Sequence, residues 1–420
     1  MLAETVALIL LAAVLAAAVA RPHGLPEALV AVPAAAVLVA FGVVSWASLR
    51  DEFGRLWPIL IFLAAVLVLA YLCAAEGLFD AAGRWLTRRS QGRASHLLRN
   101  VIGLSAVVTT ILSLDATVVL LTPVVADSAT RMRVSPEPHV FATGHLSNSA
   151  SILLPVANLT NLLALGASGL GVAHFAGLMA LPFVAVLVVE YVVLRVYFRN
   201  DLRTPPDRPH ADRVGTGTEG IPRFATFVLA AALVGFLATS AFGFPPYWVA
   251  VVAASTLGVH AATRGLVGVA GTAKAVDAPF LLFILGLAIV VRGVTDNGLG
   301  SWMTAIVPNS SGLLGLLVFA FMAAALSNVV NNVPALLILL APAAEVGPVA
   351  VLAVLIGVNI GPNLTYTGSL ATLLWRRVLR EQEITVSFPT FTALGLLSVP
   401  ACISLATTAL WFVDLQARRL

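Results

Sequence analysis

Long apolar runs follow one another along this chain, each roughly the length that crosses a hydrocarbon layer of about 30 Å as a helix. Such windows lie near residues 2–20, 28–47, 57–79, 138–165, 172–197, 222–242, 246–263, 276–295, 348–375 and 388–413. Two further apolar stretches, about 101–126 and 311–345, carry polar patches: Ser113-Leu-Asp115-Ala-Thr117 and Ser327-Asn328-Val-Val-Asn331-Asn332-Val-Pro334. Each is either a full span or a re-entrant hairpin with its patch at the tip. Two of the longest windows are also interrupted, by Pro155-Val-Ala-Asn158-Leu-Thr160-Asn161 and by Gly361-Pro362-Asn363-Leu-Thr365-Tyr366-Thr367-Gly368-Ser369. Carboxamides and hydroxyls are costly in hydrocarbon unless they line a cavity or meet partners, and Pro and Gly free backbone carbonyls at the same depth. The two Asn-Leu-Thr triplets lie 205 residues apart. Paired interrupted helices in two halves of a chain point to a transporter's binding site.

Composition agrees: 60% of residues are hydrophobic and 10% charged, which excludes an ordinary soluble domain. The first run, Glu4 to Ala20, lacks a basic leading region and a small-residue cleavage site, so it reads as a first span and not as a removed signal. Cys73 and Cys402 both fall in apolar runs without pairing or ligand spacing. They read as inert buried thiols, and neither a disulfide framework, a fixed metal site nor a cofactor is indicated. Of the 24 basic residues, only Lys274 is lysine; with abundant Ala and Val this suggests a GC-rich bacterial genome. The net charge of +4 belongs to loop arginines and not to a nucleic-acid-binding surface.

Loop charge arbitrates between spans and hairpins. With both patched stretches as hairpins the chain has ten spans, and one face collects Arg21, Arg84, Arg88, Arg89, Arg93, Arg99, Arg131, Arg133, Arg195, Arg199, Arg203, Arg208, Arg213, Arg223, Arg264, Lys274, Arg376, Arg377 and Arg380. The other face holds Arg50, Arg55, Arg292, Arg418 and Arg419. That split of 19 against 5 places the first face in the cytoplasm and both termini outside a bacterial inner membrane. Five spans per half then make two repeats of opposite orientation, 1–198 and 222–420, joined by a cytoplasmic linker at 199–221. The expected fold is all-α and polytopic, with a hairpin and a broken helix in each repeat. The basic stretch Arg84 to Arg99 suits a segment lying along the cytoplasmic leaflet, or a plain charged loop.

The candidate site follows from these polar elements. In the first half it comprises Asp115, Thr117, Asn158, Thr160 and Asn161, with Ser147, Asn148 and Ser149 earlier on the same run. The second half contributes Ser327, Asn328, Asn331, Asn332, Asn363, Thr365, Thr367 and Ser369. The competing role for such residues is helix-to-helix hydrogen bonding. Asp115 is a carboxyl within a polar patch, hence a candidate proton carrier; its competing role is a hairpin-tip cap. His145, Glu190 and Asp296 lie nearer span ends or on unbroken helices and read as weaker candidates.

Ser113-Leu-Asp-Ala-Thr-Val-Val-Leu-Leu-Thr-Pro123, Asn148 through Asn161, Leu326 through Ala335 and Gly361 through Ser369 together resemble the arsenical pump membrane protein family. The resemblance covers nearly the whole chain and implies an arsenite and antimonite exporter of the ion-transporter superfamily. It would be driven by the proton-motive force, with or without a cytoplasmic arsenite-stimulated ATPase; the oligomeric state stays open. Related branches carry sodium and protons, citrate or other carboxylates, often with Ser-Asn-Thr at the hairpin tips. Ser327-Asn328-Val329 and Ser113-Leu114-Asp115 depart from that signature. Neutral trihydroxides of arsenic or antimony need only donors and acceptors such as Asn, Thr and Ser, and no arginine lies in the four patches. Sodium/proton antiport and carboxylate transport remain the alternative, and no sequence pattern of a membrane enzyme is present.

Overall fold

Helix ends in the computed structural model are set by caps and turns, which do not coincide with the edges of the apolar windows. The structure describes residues 2–20, 26–203, 220–299, 308 and 310–417. Most of the expected linker at 199–221 therefore lies outside the described residues, as do Arg21, Arg208, Arg213, Arg418 and Arg419. The described chain is helical, with no strand among the described residues.

It opens with α1 (Leu2–Ala20), α2 (Ala28–Ala40) and α3 (Trp46–Ala75). The third helix begins well before the apolar window that announced it, because the Ser45 hydroxyl accepts from the Ser48 N–H at 3.0 Å and caps a polar first turn. Arg50, Glu52 and Arg55 are thus helical, and Glu52, 2% exposed, pairs with both Arg55 and Arg292. The amphipathic helix α4 (Leu78–Ser90) follows, with Arg88 and Arg89 in its last turn. Left-handed Gln91 and Gly92 end it, so the Arg84–Arg99 stretch is a helix, a turn and the start of another helix.

The first patched stretch forms α5 (Ala94–Ile111), a turn at Leu112–Ser113, the single turn α6 (Leu114–Ala116), a π-helical segment Thr117–Leu121 and α7 (Thr122–Arg131). A first interrupted helix comes next: α8 (Glu137–Ser149), two short 3-10 turns, and α9 (Leu159–Ser168). Then come α10 (Val172–Tyr197), α11 (Arg223–Phe242), α12 (Pro246–Thr263), α13 (Val269–Ala275) and α14 (Ala278–Val294). The second patched stretch is α15 (Leu313–Val330) turning at Asn331 into α16 (Asn332–Val346), which packs back on α15. The second interrupted helix is α17 (Pro348–Ile360), a 3-10 turn Gly361–Leu364 and α18 (Leu370–Glu381), before α19 (Phe388–Ala417) closes the chain.

Six described helices are long and apolar enough to cross a membrane, α5 and α15 among them. Their outward faces stay apolar: Val184, Val188, Val192 and Val196 make an exposed stripe on α10, whereas Val186, Glu190 and Leu194 point inward. An apolar exterior of this kind suits lipid.

Two cores organise the interior, and the interrupted helices cross between them. One gathers α1, α2, α14, α15, α16 and α17, and receives Leu159, Leu163 and Ala164 from α9. The other is built on α3, α5, α7, α8, α11 and α12, and receives Ala371, Trp375 and Leu379 from α18. Trp375 is fully buried, and its indole N–H donates to the Val140 carbonyl at 3.1 Å. Gly144 makes room for it, since a Cβ there would stand 2.6 Å from Trp375 Cε2. Replacing Trp375 by Ala is expected to cost about 3–5 kcal/mol, seen as a lower melting temperature of the protein in detergent. Gly144→Val should lower it as well, and melting temperatures equal to wild type would contradict this packing.

Candidate functional site

A helix that breaks inside an apolar bundle leaves carbonyls without amide partners, and buried carbonyls must be satisfied. Asparagine side chains meet that demand at both breaks. Asn161 Nδ2 donates to the carbonyls of Ser151 and Leu154, the latter at 2.7 Å. Asn363 Nδ2 donates to the His145 carbonyl at 3.0 Å, and Asn328 Nδ2 to the Gly361 carbonyl at 2.8 Å. N-caps start the far half-helices: the Asn158 side chain accepts from Thr160 N–H, and Ser369 from Thr372 N–H.

The two breaks also grip one another. Asn148, the penultimate residue of α8, donates to Asn363 Oδ1 at 3.1 Å and Thr372 Oγ1 at 3.0 Å, and accepts from Ser369 at 2.9 Å. Asn359, the penultimate residue of α17, accepts from Thr160 at 2.7 Å and Asn158 at 3.1 Å, and donates to Asn161 Oδ1 at 2.8 Å. One spacing relates the members: 211 residues separate Asn148 from Asn359, Asn158 from Ser369, and Asn161 from Thr372. The two Asn-Leu-Thr triplets are therefore not equivalent in place. Asn158 caps a far half-helix, whereas Asn363 lies in the 3-10 turn just after a near one.

A cavity of about 40 Å³ opens where the breaks meet the two hairpin turns, room for about three water molecules or one small polar solute. Its wall includes Ser113, Leu114 and half-buried Asp115 from the first turn, and Asn332 and Val333 from the second. Val156 to Leu159 and Leu370–Ala371 come from the breaks, and Phe62, Leu63, Val66 and Phe280 supply apolar wall. Among the described residues its polar side chains are one carboxyl, two carboxamides and one hydroxyl, and no arginine or lysine lines it. A larger groove of about 430 Å³ between α11 and α12 has Phe227, Phe242 and Trp248 in an almost wholly apolar wall.

The expected site residues separate into groups. Asp115, Asn158 and Asn332 reach the cavity. Thr160, Asn161, Asn363 and Ser369, together with Asn148, form the buried network behind it. Thr117 is fully buried and ties the arms of the first hairpin through Thr109 at 2.7 Å. Ser327 bonds its own helix at the Ala324 carbonyl, as Ser147 does at Gly144 and Ser149 at His145. Asn328, Thr365 and Thr367 form a half-buried chain of hydrogen bonds beside the second break. Asn331 makes the second turn with a φ of 77°, a conformation glycine adopts most easily, and its Nδ2 is buried without a partner. Asp296 pairs with Arg292 at 2.8 Å and lies away from the cavity.

Sequence reasoning missed Asn359 and Thr372, which complete the two clasps, and it undervalued His145 and Glu190, which are fully buried. Asn359 could have been found by its position one residue before the end of a helix, as Asn148 is. Glu190 could have been found by helical phase, since it shares a face with Val186 and Leu194.

A polytopic helical bundle whose polar groups meet at paired helix breaks beside a small cavity is the architecture of a membrane transporter. The chain belongs to the citrate transporter family, whose model matches residues 6–362. It is 28% identical over 394 residues to the arsenical pump membrane protein of Escherichia coli strain K12, covering 90% of this chain and 91% of that one. It is 26% identical to the arsenical pump membrane protein of Yersinia enterocolitica, covering 90% and 92%. The solved YdaH transporter of Alcanivorax borkumensis shares the fold, with a TM-score of 0.63 at 16% identity over 93% of this chain and 97% of that one.

The Asn359 clasp generates a stability prediction. Asn359→Leu strands three buried polar partners and is expected to destabilise by about 1–3 kcal/mol or more. Thr160→Val should then add little on top of Asn359→Leu. Denaturant unfolding of the single and double variants in detergent measures this, and strict additivity would mean the clasp is not one unit.

Proposed function

We propose that the chain is a secondary active exporter of arsenite and antimonite, carried as neutral trihydroxides across a bacterial inner membrane in exchange for protons. The observation that carries this reading is the cavity wall: carboxamides, a hydroxyl and one carboxyl, with no arginine or lysine among the described residues. Each face of a trihydroxide both donates and accepts, as Asn and Ser side chains do. A carboxylate cargo would meet the Asp115 carboxyl in a wall that, among the described residues, no arginine or lysine lines. The names of the Escherichia coli and Yersinia relatives point the same way. Cys73 and Cys402 lie in different cores, so a tight three-thiolate trap for trivalent arsenic is not available within one chain.

Several finer features belong to this proposal. The common 211-residue spacing of the clasps supports two repeats of opposite orientation, with α5–α7 and α15–α16 as re-entrant hairpins whose turns reach the cavity. The loop-arginine split of 19 against 5 supports cytoplasmic entry and both termini outside. Cargo would bind among Asn158, Asn332 and the hairpin turns, Asp115 would carry the proton, and the network behind would reset as the halves rearrange. The family's description favours a second reading, carriage of a carboxylate.

Everted membrane vesicles from a strain without its own arsenite exporters test the proposal. An acid-inside gradient should drive arsenite accumulation that antimonite competes with and an uncoupler abolishes. Gradient-driven citrate uptake without arsenite uptake would transfer the assignment to the carboxylate reading. Asp115→Asn should reduce gradient-driven accumulation by about ten-fold or more while leaving downhill flux. Full accumulation in that variant would remove Asp115 from the coupling role.

A further inference from the structure

Behind the second break, a carboxyl and an imidazole meet in a fully buried interior. Glu190 on α10 and His145 on α8 are each 0% exposed, and His145 Nδ1 lies 3.2 Å from Glu190 Oε2. Asn363 Nδ2 donates to Glu190 Oε1 at 3.4 Å, and Ser398 on α19 approaches His145 Nδ1 at 3.5 Å. Among the described residues a further ionisable group facing Glu190 is Cys402 of α19, whose thiol lies against the Val186 carbonyl. Among the described residues no lysine or arginine pairs with Glu190. His145 is flanked by the rings of Phe141 and Phe391, and its Nε2 has no hydrogen-bond partner.

Neither protonation state of this pair is fully satisfied in the conformation seen. With Glu190 ionised, His145 is neutral and donates from Nδ1, and the buried negative charge has only neutral donors around it. One more proton gives either a carboxylic acid donating to Nδ1, with the imidazole hydrogen on Nε2, or an imidazolium with both nitrogens protonated. Both forms put an N–H on Nε2, where no acceptor stands. The first state lacks a counter-charge and the second lacks an acceptor, so a rearrangement that supplies either changes the pair's proton content, and the converse holds by linkage.

The pair is also wired to the site. Asn363 bonds Glu190 and the His145 carbonyl with its Nδ2, while its Oδ1 accepts from Asn148, the clasp on Ser369 and Thr372. The next two residues after Ser369, Leu370 and Ala371, are cavity wall. We propose that Glu190 and His145 form a second proton-binding site, separate from Asp115, whose occupancy is coupled through Asn363 and Asn148 to the opening of the break between α17 and α18. This rests on the reading of the chain as a proton-coupled carrier.

Infrared titration of the purified, substrate-free protein tests the pair without any assumption about cargo. The wild type should show the carbonyl stretch of a protonated, water-shielded carboxyl that is lost when the pair gives up its proton. Glu190→Gln should remove that band and Asp115→Asn should keep it. Absence of a titrating band in wild type, or its survival in Glu190→Gln, would overturn the proposal. If Glu190→Gln does not fold, His145→Gln should move the midpoint of the band, and an unmoved midpoint would overturn it equally. In everted vesicles, Glu190→Gln should lose about ten-fold or more of gradient-driven accumulation and keep downhill flux. Accumulation with an unchanged pH profile would contradict the coupling, whereas failure of wild type to move arsenite would bear on the cargo and leave the infrared result to decide the pair.

Discussion

The asparagines at the breaks answer one demand: a helix that breaks away from water must have its freed carbonyls satisfied by the protein itself. Asparagine is suited to this because one side chain both donates and accepts. Asn161 and Asn363 donate to carbonyls on the near side of the first break and Asn328 to the Gly361 carbonyl of the second, and Asn148 and Asn359 reach across to the N-caps of the opposite break. Each break is therefore completed by the other, and neither half-helix pair would be satisfied alone. The crossing of α9 and α18 into opposite cores is the packing counterpart of the same dependence.

This mutual completion bears on transport. In the proposed cycle the two halves cannot move apart without parting the clasps, so the groups they leave must find water, cargo or new partners. A trihydroxide can replace several such bonds at once, and a proton on a nearby carboxyl changes which groups donate. Binding and protonation then act on the same hydrogen bonds, which is how a carrier ties two fluxes without a long-range device. The family match and the shared fold with the YdaH transporter give the class of machine.

The positions of the breaks and of the hairpin turns were legible in the sequence because Pro, Gly and Asn are conspicuous within apolar runs. Helix ends were less so: α3 starts at Trp46 because Ser45 caps it, and hydropathy does not register a cap. The Asn-Leu-Thr triplets, 205 residues apart, drew attention to the right segments but suggested a false register. The clasps follow a spacing of 211, and Asn359 was hidden because a lone Asn beside Ile and Val looks like part of an unbroken helix. Glu190 and His145 were discounted for lying nearer span ends or on unbroken helices. Only tertiary packing shows that they face each other across α8 and α10 with their polar atoms enclosed.

Equilibrium binding to the purified protein in detergent tests most directly whether the cavity between the breaks holds a neutral trihydroxide. Arsenious acid should bind saturably to wild type, antimonous acid should displace it, and citrate should not. Asn332→Leu and Asn158→Leu should each weaken binding by about ten-fold or more, the scale of losing one or more buried hydrogen bonds. Saturable citrate binding, or arsenious acid binding that survives both substitutions unchanged, would contradict it.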